Sequence, residues 1–349
     1  MFSNTNLLWL HNNTDAHDLV VGAIDSFQEI AGVTLHPVAT SHLLQGSGYA
    51  DDPFPRMEAH DNYLFAQLCF PSSVNDSTAN FDELVLVATH DHALITVTSH
   101  ESSEINWNDI RESTTHLTSQ ISSGCMSGNF LQILFRLAID KMHQDATFLD
   151  DMIQSIAHDL LIGHDLDDIV DTDFDVPALS RRQQKELQAA AQSARPRISA
   201  IRHEMPGIKR VVEETENILE KIANDTIDLP QDINGNAREL FTRDIEIHLN
   251  DVYVDARHVE SMIAAIEAKL LSTSDRLRQI DSAEQVTANR FTGAIASIML
   301  FPTFVVGLYG QNFEIMPELK WHYGYLFSFG IIAGSTALQV WFFRKRRWL

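Results

Sequence analysis

Residues 291–309 read FTGAIASIMLFPTFVVGLY and run directly into Tyr309-Gly310-Gln311-Asn312-Phe313. A short polar loop follows, from Glu314 to His322, and then a second apolar segment from Tyr323 to Phe343. The two segments hold 19 and 21 residues and contain no charged side chain. At ~1.5 Å per residue each is long enough to cross a hydrocarbon layer of ~30 Å. A buried hairpin of a soluble domain is the alternative, but a soluble hairpin of this length carries a polar stripe. Tyr309, Trp321, Tyr323 and Trp348 stand at the segment ends, where interfacial aromatic belts are expected.

Basic residues set the expected orientation. Arg276, Arg278 and Arg290 precede the first span, and Arg344-Lys345-Arg346-Arg347 follow the second. The loop between holds only Lys320, beside Glu314 and Glu318. Both termini are therefore expected in the cytoplasm and the loop outside.

The rest of the chain is polar and acidic. A length of 349 residues allows two or three domains, and a formal charge of −23 argues against nucleic acid as a partner and favours a surface that attracts cations. Cys69 and Cys125 make no disulfide framework. Met1 to Leu10 lacks the basic start and long apolar core of a signal peptide, so the spans themselves are expected to direct insertion.

Residues 1–125 read as a mixed α/β domain. Asp18 to Ala31 has helical periodicity with Leu19, Ile24 and Phe27 near one face, and Val33-Thr34-Leu35 suits a strand. Arg56 to Pro71 reads as a strand pair, Ser72 to Asn80 as a hairpin loop, and Glu83–Ala88 with Ala93–Thr98 as strands about a turn at Thr89-His90-Asp91-His92. Residues 126–235 read as a helical hairpin region. Its first helix carries Phe130, Leu134, Leu137, Met142, Phe148, Met152 and Ile156 near helical spacing. Residues 177–226 are expected to form a helix pair interrupted near Pro196 and Pro206. Between them lies an acidic block with Asp165, Asp167, Asp168, Asp171, Asp173 and Asp175, which is either a solvated loop or a cation-collecting tip.

From Ala237 to Thr292 there is no Gly and no Pro. Ile245, Leu249, Val252, Ala256, Val259, Ile263, Ile266, Leu270, Leu277 and Ile280 recur at intervals of three and four, with only Thr273 interrupting. Such a seam must pack on its own domain, on copies of itself, or on both. One stalk helix, residues 236–309, is expected to continue into the first span. An external loop (310–322), a second span (323–343) and a basic tail (344–349) complete the chain.

Taken together, two C-terminal spans, Tyr309-Gly310-Gln311-Asn312-Phe313, the Met316-Pro317-Glu318-Leu319 loop and the basic-Trp348-Leu349 end resemble the CorA family of divalent-cation channels. The similarity extends back to the run from Arg56 to Phe65 and to Leu94-Ile95-Thr96-Val97. One departure stands out: the family motif is Gly-Met-Asn, and here Gln311 holds the middle position. The resemblance implies an α+β cytoplasmic domain, a long stalk helix and two transmembrane helices, assembled as a homopentamer in the cell (inner) membrane. It implies a channel and not an enzyme, carrying hydrated Mg²⁺ as its substrate. The same architecture with Zn²⁺, Co²⁺ or Ni²⁺ is the alternative, and a membrane-tethered metal-sensing scaffold is the alternative of another class.

The resemblance also implies roles. Gly310, Gln311 and Asn312 form the pore mouth, with the Asn312 amides accepting hydrogen bonds from the waters of an incoming ion. This suits Mg²⁺, which dehydrates reluctantly. Taken in isolation, an asparagine at this place reads as a helix C-cap before it reads as a functional residue. Glu314 and Glu318 form a negative collar outside, or are ordinary loop carboxylates. Thr303 and Leu300 line the pore, and further inside Asn289 and Thr292 stand where relatives have bulky apolar residues, with Phe291, Ile295 and Ile298 nearby. Asp244, with Glu104 or Glu101 as partner, corresponds to a regulatory site for a divalent cation. Sixteen histidines raise the question of a metal enzyme, but His90-Asp91-His92 and His158 with His164 lack the spacing of a known hydrolase site and read as exposed polar residues.

Overall fold

The computed structural model describes residues 7–11, 17–45, 54–73, 80–98, 105–120, 126–161, 181–227, 229, 239–311, 321–346 and 348. These fall into two units, Met1–Thr273 and Ser274–Leu349.

The first unit is built on a five-stranded sheet. β1 (Leu7–His11), β2 (Arg56–Ala59), β3 (Leu64–Ser73), β4 (Asn80–Ala88) and β5 (Ala93–Thr98) stand in the order β1-β5-β4-β3-β2. β2 to β5 form an antiparallel meander, and β1 joins β5 in parallel with Leu8 opposite Leu94. The three central strands are apolar on both faces because both are covered. On one side α1 (His17–Ala31) and α2 (Pro37–Gln45) pack Val20, Ile24, Phe27 and Leu43 against Phe65, Val85, Val87 and Leu94. On the other side lie α3 (Trp107–Gln120), α4 (Met126–Leu161) and α5 (Arg181–Ala223); α4 and α5 touch β3 and each other, and α3 packs on α4. Trp107 donates its indole N–H to Asp82 at 2.9 Å and meets Phe70 edge-on, so a buried aspartate on β4 is satisfied from α3.

Several local expectations are corrected here. Residues 33–35 are extended but form no strand. Leu19 is 71% exposed while its neighbour Val20 faces the core, a shift of one position round the helix. Phe148 is likewise exposed, and Leu149 takes the buried place. His90 is buried, not exposed, with Nε2 3.0 Å from the Leu229 carbonyl oxygen. α5 is one helix of 43 residues that contains both Pro196 and Pro206. A proline inside a helix costs about 3 kcal/mol. Here that is offset by a buried face that includes Ile198, Ile201, Met205, Ile208, Val211 and Val212, each contributing about 1.5–3 kcal/mol. The acidic block at 164–175 lies outside the described residues.

α6 (Arg243–Tyr309) is 67 residues long. In the first unit its seam, Ile245 through Leu270, is buried against the chain's own domain. Thr273 is buried within that seam and is satisfied by donating its hydroxyl to the Lys269 carbonyl at 2.7 Å. Ion pairs flank the seam: Asp255 with Arg136 and Lys269 with Asp150, both 2.6 Å, link α6 to α4, and Glu267 with Lys209 at 3.0 Å links it to α5.

The second unit holds the remainder of α6 and α7 (Gly324–Lys345). Both are long and apolar enough to cross a membrane, and neither is buried to any extent in its apolar window. At one end Arg290 lies over the Trp348 ring at 6.0 Å, and Trp348 stacks on Phe343. At the other, Trp321 meets Phe327 edge-on at 5.5 Å. The aromatic residues thus gather at the ends of the spans.

Candidate functional site

α6 carries a second stripe at heptad spacing, offset by two residues from the buried one. Two residues turn an α-helix by ~200°, so the stripes lie on opposite sides. In the second unit this stripe is Asp275, Gln279, Ser282, Val286, Asn289, Gly293, Ala296, Leu300, Thr303, Gly307 and Gly310, and every one of them is exposed. The covered positions of the span, Ala294 and Val305 with Ile298 half-buried, fall on the far side of the helix. The same spacing counted back into the first unit gives Ile247, Asp251, Val254, His258, Ser261, Ala265, Ala268 and Ser272, again all exposed.

The composition of this stripe is unusual for a lipid-facing surface. Between Asn289 and Gly310 it consists of amide, hydroxyl, methyl and glycine, with one leucine. The lipid-suited residues Phe291, Phe301 and Ile295 stand off it. The Thr303 hydroxyl donates to the Met299 carbonyl at 2.7 Å, and the Thr292 hydroxyl donates to the Ala288 carbonyl at 3.0 Å. A hydroxyl that donates to its own backbone needs no other partner in an apolar layer and keeps its lone pairs free to accept from water.

Asn289, Leu300, Thr303 and Gly310 all lie on the stripe, and Thr292 lies ~60° to its side. Gly310 closes the helix with its N–H donated to the Val306 carbonyl at 2.9 Å, and Gln311 follows as an exposed residue. Asn312, Glu314, Glu318 and Glu104 lie outside the described residues, as does Glu101. Asp244 is exposed in the first turn of α6, where its carbonyl is 2.7 Å from Nδ1 of His248. Among the described residues no group of three or more His, Cys, Asp or Glu is placed to hold a metal ion. The exposed stripe of the first unit is not among the positions that the sequence singles out. Its signal is confined to Ser261, Ala265, Ala268 and Ser272, small side chains at three-four spacing, and lies beside the stronger apolar repeat.

The chain is thus an α/β unit whose long final helix becomes the first of two helices long and apolar enough to cross a membrane, with a row of small and polar residues exposed on that helix. The family described as CorA-like Mg²⁺ transporter protein matches residues 166–345, just over half of the chain, and the chain belongs to that family. Among its relatives, the magnesium transport protein CorA of Helicobacter pylori is 38% identical over 89 residues, covering 22% of this chain and 28% of that one. The cobalt/magnesium transport protein CorA of Thermotoga maritima is 42% identical over 55 residues, covering 16% of each. These alignments span less than a third of the curated relatives' length. The solved structure of the CorA magnesium transporter from Methanocaldococcus jannaschii has the same fold over all of this chain and 93% of its own, with a TM-score of 0.64 and 14% identity.

Proposed function

We propose that copies of this chain assemble, α6 beside α6, into a pentameric conduit that carries hydrated divalent cations across the membrane, with Mg²⁺ as the principal ion. The observation that carries this reading is the exposed stripe from Asn289 to Gly310, which ends at Gly310-Gln311-Asn312. Two spans per chain cannot enclose an aqueous path, so the stripe needs copies of itself to face. The names of the related proteins supply the ion: magnesium, and cobalt with magnesium. Both termini lie in the cytoplasm in this reading, because the basic residues flank the spans on that side.

The residues divide the work. Glu314 and Glu318 raise the local cation concentration outside the mouth. The Asn312 amide oxygens accept hydrogen bonds from the inner waters of the ion, which enters without being stripped. Gln311 adds a second amide where an apolar residue would only pack, and relaxes the preference for Mg²⁺. Thr303, Thr292 and Asn289 then offer oxygen acceptors in turn along the wall. On the cytoplasmic side, Asp244 and the surrounding acidic surface bind the same cation and slow transport when it is plentiful.

The test is ion uptake into liposomes containing the purified full-length protein. Mg²⁺ should enter down its gradient, Asn312→Ala should abolish the flux, and Gln311→Met should shift the Mg²⁺ to Co²⁺ ratio toward Mg²⁺. No uptake above protein-free vesicles would remove the reading. Two additions check its finer parts. Glu314→Cys should react with an impermeant thiol reagent from outside cells where Trp348→Cys does not. Asp244→Ala should weaken inhibition by Mg²⁺ on the tail side, and an unchanged inhibition curve would place the regulatory ligands elsewhere.

A further inference from the structure

We infer that His143 on α4 and His258 on α6 form a binding site for one divalent transition-metal cation, such as Zn²⁺, Ni²⁺ or Co²⁺, that Mg²⁺ does not occupy. The two ring centroids lie 5.8 Å apart, with 29° between the ring planes. That is too far for face-to-face contact, which needs ~3.5–4.0 Å. It matches the separation that a shared ion imposes. An imidazole nitrogen binds such an ion at ~2.0–2.1 Å, which sets two ring centroids ~5–6 Å apart. Both side chains are exposed, and among the described residues neither ring is engaged by a hydrogen bond or an ion pair. A turn of each exposed side chain between its staggered positions brings a nitrogen to the ion at little cost.

The backbone beneath the two rings is fixed on both sides. Arg136 with Asp255 and Asp150 with Lys269, each at 2.6 Å, tie α4 to α6. These pairs are 14 residues apart on both helices, so the helices run side by side in one direction, with His143 midway between the pairs. One turn before each histidine stands a carboxylate, Asp140 on α4 and Asp255 on α6. Arg136 engages both, at 3.6 and 2.6 Å. The trio keeps one net negative charge, which favours a cation, but leaves nitrogen as the ligand atom on offer. Neutral imidazole suits Zn²⁺, Ni²⁺ and Co²⁺, whereas Mg²⁺ takes oxygen and holds its waters. Water fills the remaining positions, so the site is open. The other close histidine pair, His36 and His60, lacks this freedom. Nδ1 of His36 accepts from the Val38 N–H at 3.2 Å, and the His60 ring is stacked on Tyr63 at 4.5 Å.

Zn²⁺ binding to the purified full-length protein in detergent, free of any histidine tag and with Mg²⁺ in large excess, tests the inference. Calorimetry should show an equivalent of Zn²⁺ per chain that Mg²⁺ does not displace. The midpoint of the thermal transition should rise with Zn²⁺, because an ion held by both helices favours the folded state. His143→Gln and His258→Gln should each remove that equivalent and the rise, while His36→Gln keeps both. Both site residues are exposed, so the metal-free variants should melt with the wild type. An equivalent that survives in both site variants, that Mg²⁺ displaces, or that His36→Gln also removes would overturn the assignment. The inference does not rest on the proposed function. Absence of ion uptake leaves this site standing, and absence of Zn²⁺ binding leaves the conduit standing.

Discussion

The two halves of α6 have the same spacing and opposite fates. From Ile245 to Leu270 the helix buries a row of Ile, Leu and Val to 6% exposure or less against its own domain. From Asp281 to Arg290 every residue is exposed, and in the span beyond only Ala294 and Val305 are buried. The first half is held by its own chain. The second half has almost nothing of its own chain to hold it, and in the proposed assembly its cover is lipid on one side and further copies on the other. The difference lies in side-chain size. Large aliphatic residues reward burial in water, whereas small ones allow close approach between helices in lipid, where no hydrophobic force acts.

The largest expected effect breaks the first half. Ile263→Asp with Ile266→Asp places two carboxylates at positions that are each 1% exposed. From the sequence, this seam served equally for packing between copies. The structure shows it already filled by the same chain. The double variant should therefore unfold the N-terminal unit, losing on the order of 5 kcal/mol or more, and not release intact subunits. Loss of the cooperative thermal transition in detergent is the expected readout. A folded monomer of native helicity would show that the seam belongs to the assembly after all.

A glycine pair sharpens the comparison. A methyl group at Gly128 would fall on the Leu240 carbonyl oxygen, inside contact distance, and press on the Ile245 side chain. Gly128→Ala should cost about 2 kcal/mol, because the backbone itself must move. Gly293→Ala, in the second half, meets open space within the chain. It should leave thermal stability within about 0.5 kcal/mol of the wild type. Equal shifts in melting temperature for the two would contradict the assignment of close packing to the first half alone.

The last effect appears only above neutral pH. Glu204 on α5 is 3% exposed, and burial raises its carboxyl from 4.5 to about 7. The folded state thus holds the proton more tightly than the unfolded chain. Its contribution is complete below pH 4.5 and is lost as pH rises through about 7. Glu204→Gln keeps the shape without the charge, and so should be more stable than the wild type by about 2 kcal/mol at pH 8 and nearly equal to it at pH 5. Melting temperatures at the two pH values check this, and a stability difference that does not change with pH would show that Glu204 is paired in the folded protein.

By itself the sequence determined the two apolar runs, the Gly310-Gln311-Asn312 tripeptide between them and the seam. Each is a local property: an uncharged apolar run is long enough to cross a bilayer, or it is not, and a three-four repeat on a helix is a stripe in any fold. The roles expected of Gly310, Gln311 and Asn312, and of Asn289 and Thr303 as wall residues, came from the family resemblance and not from that local count. Tertiary structure alone decided the rest. It chose which of the two heptad stripes of α6 is buried, because that depends on what α4 and α5 offer across the contact. It set Val20 and not Leu19 into the core, a choice of one position that periodicity cannot make. It carried α5 straight through Pro196 and Pro206, since burial of a whole helical face outweighs two missing hydrogen bonds. Composition counts apolar residues, but only the turn of the helix says which of them face one another.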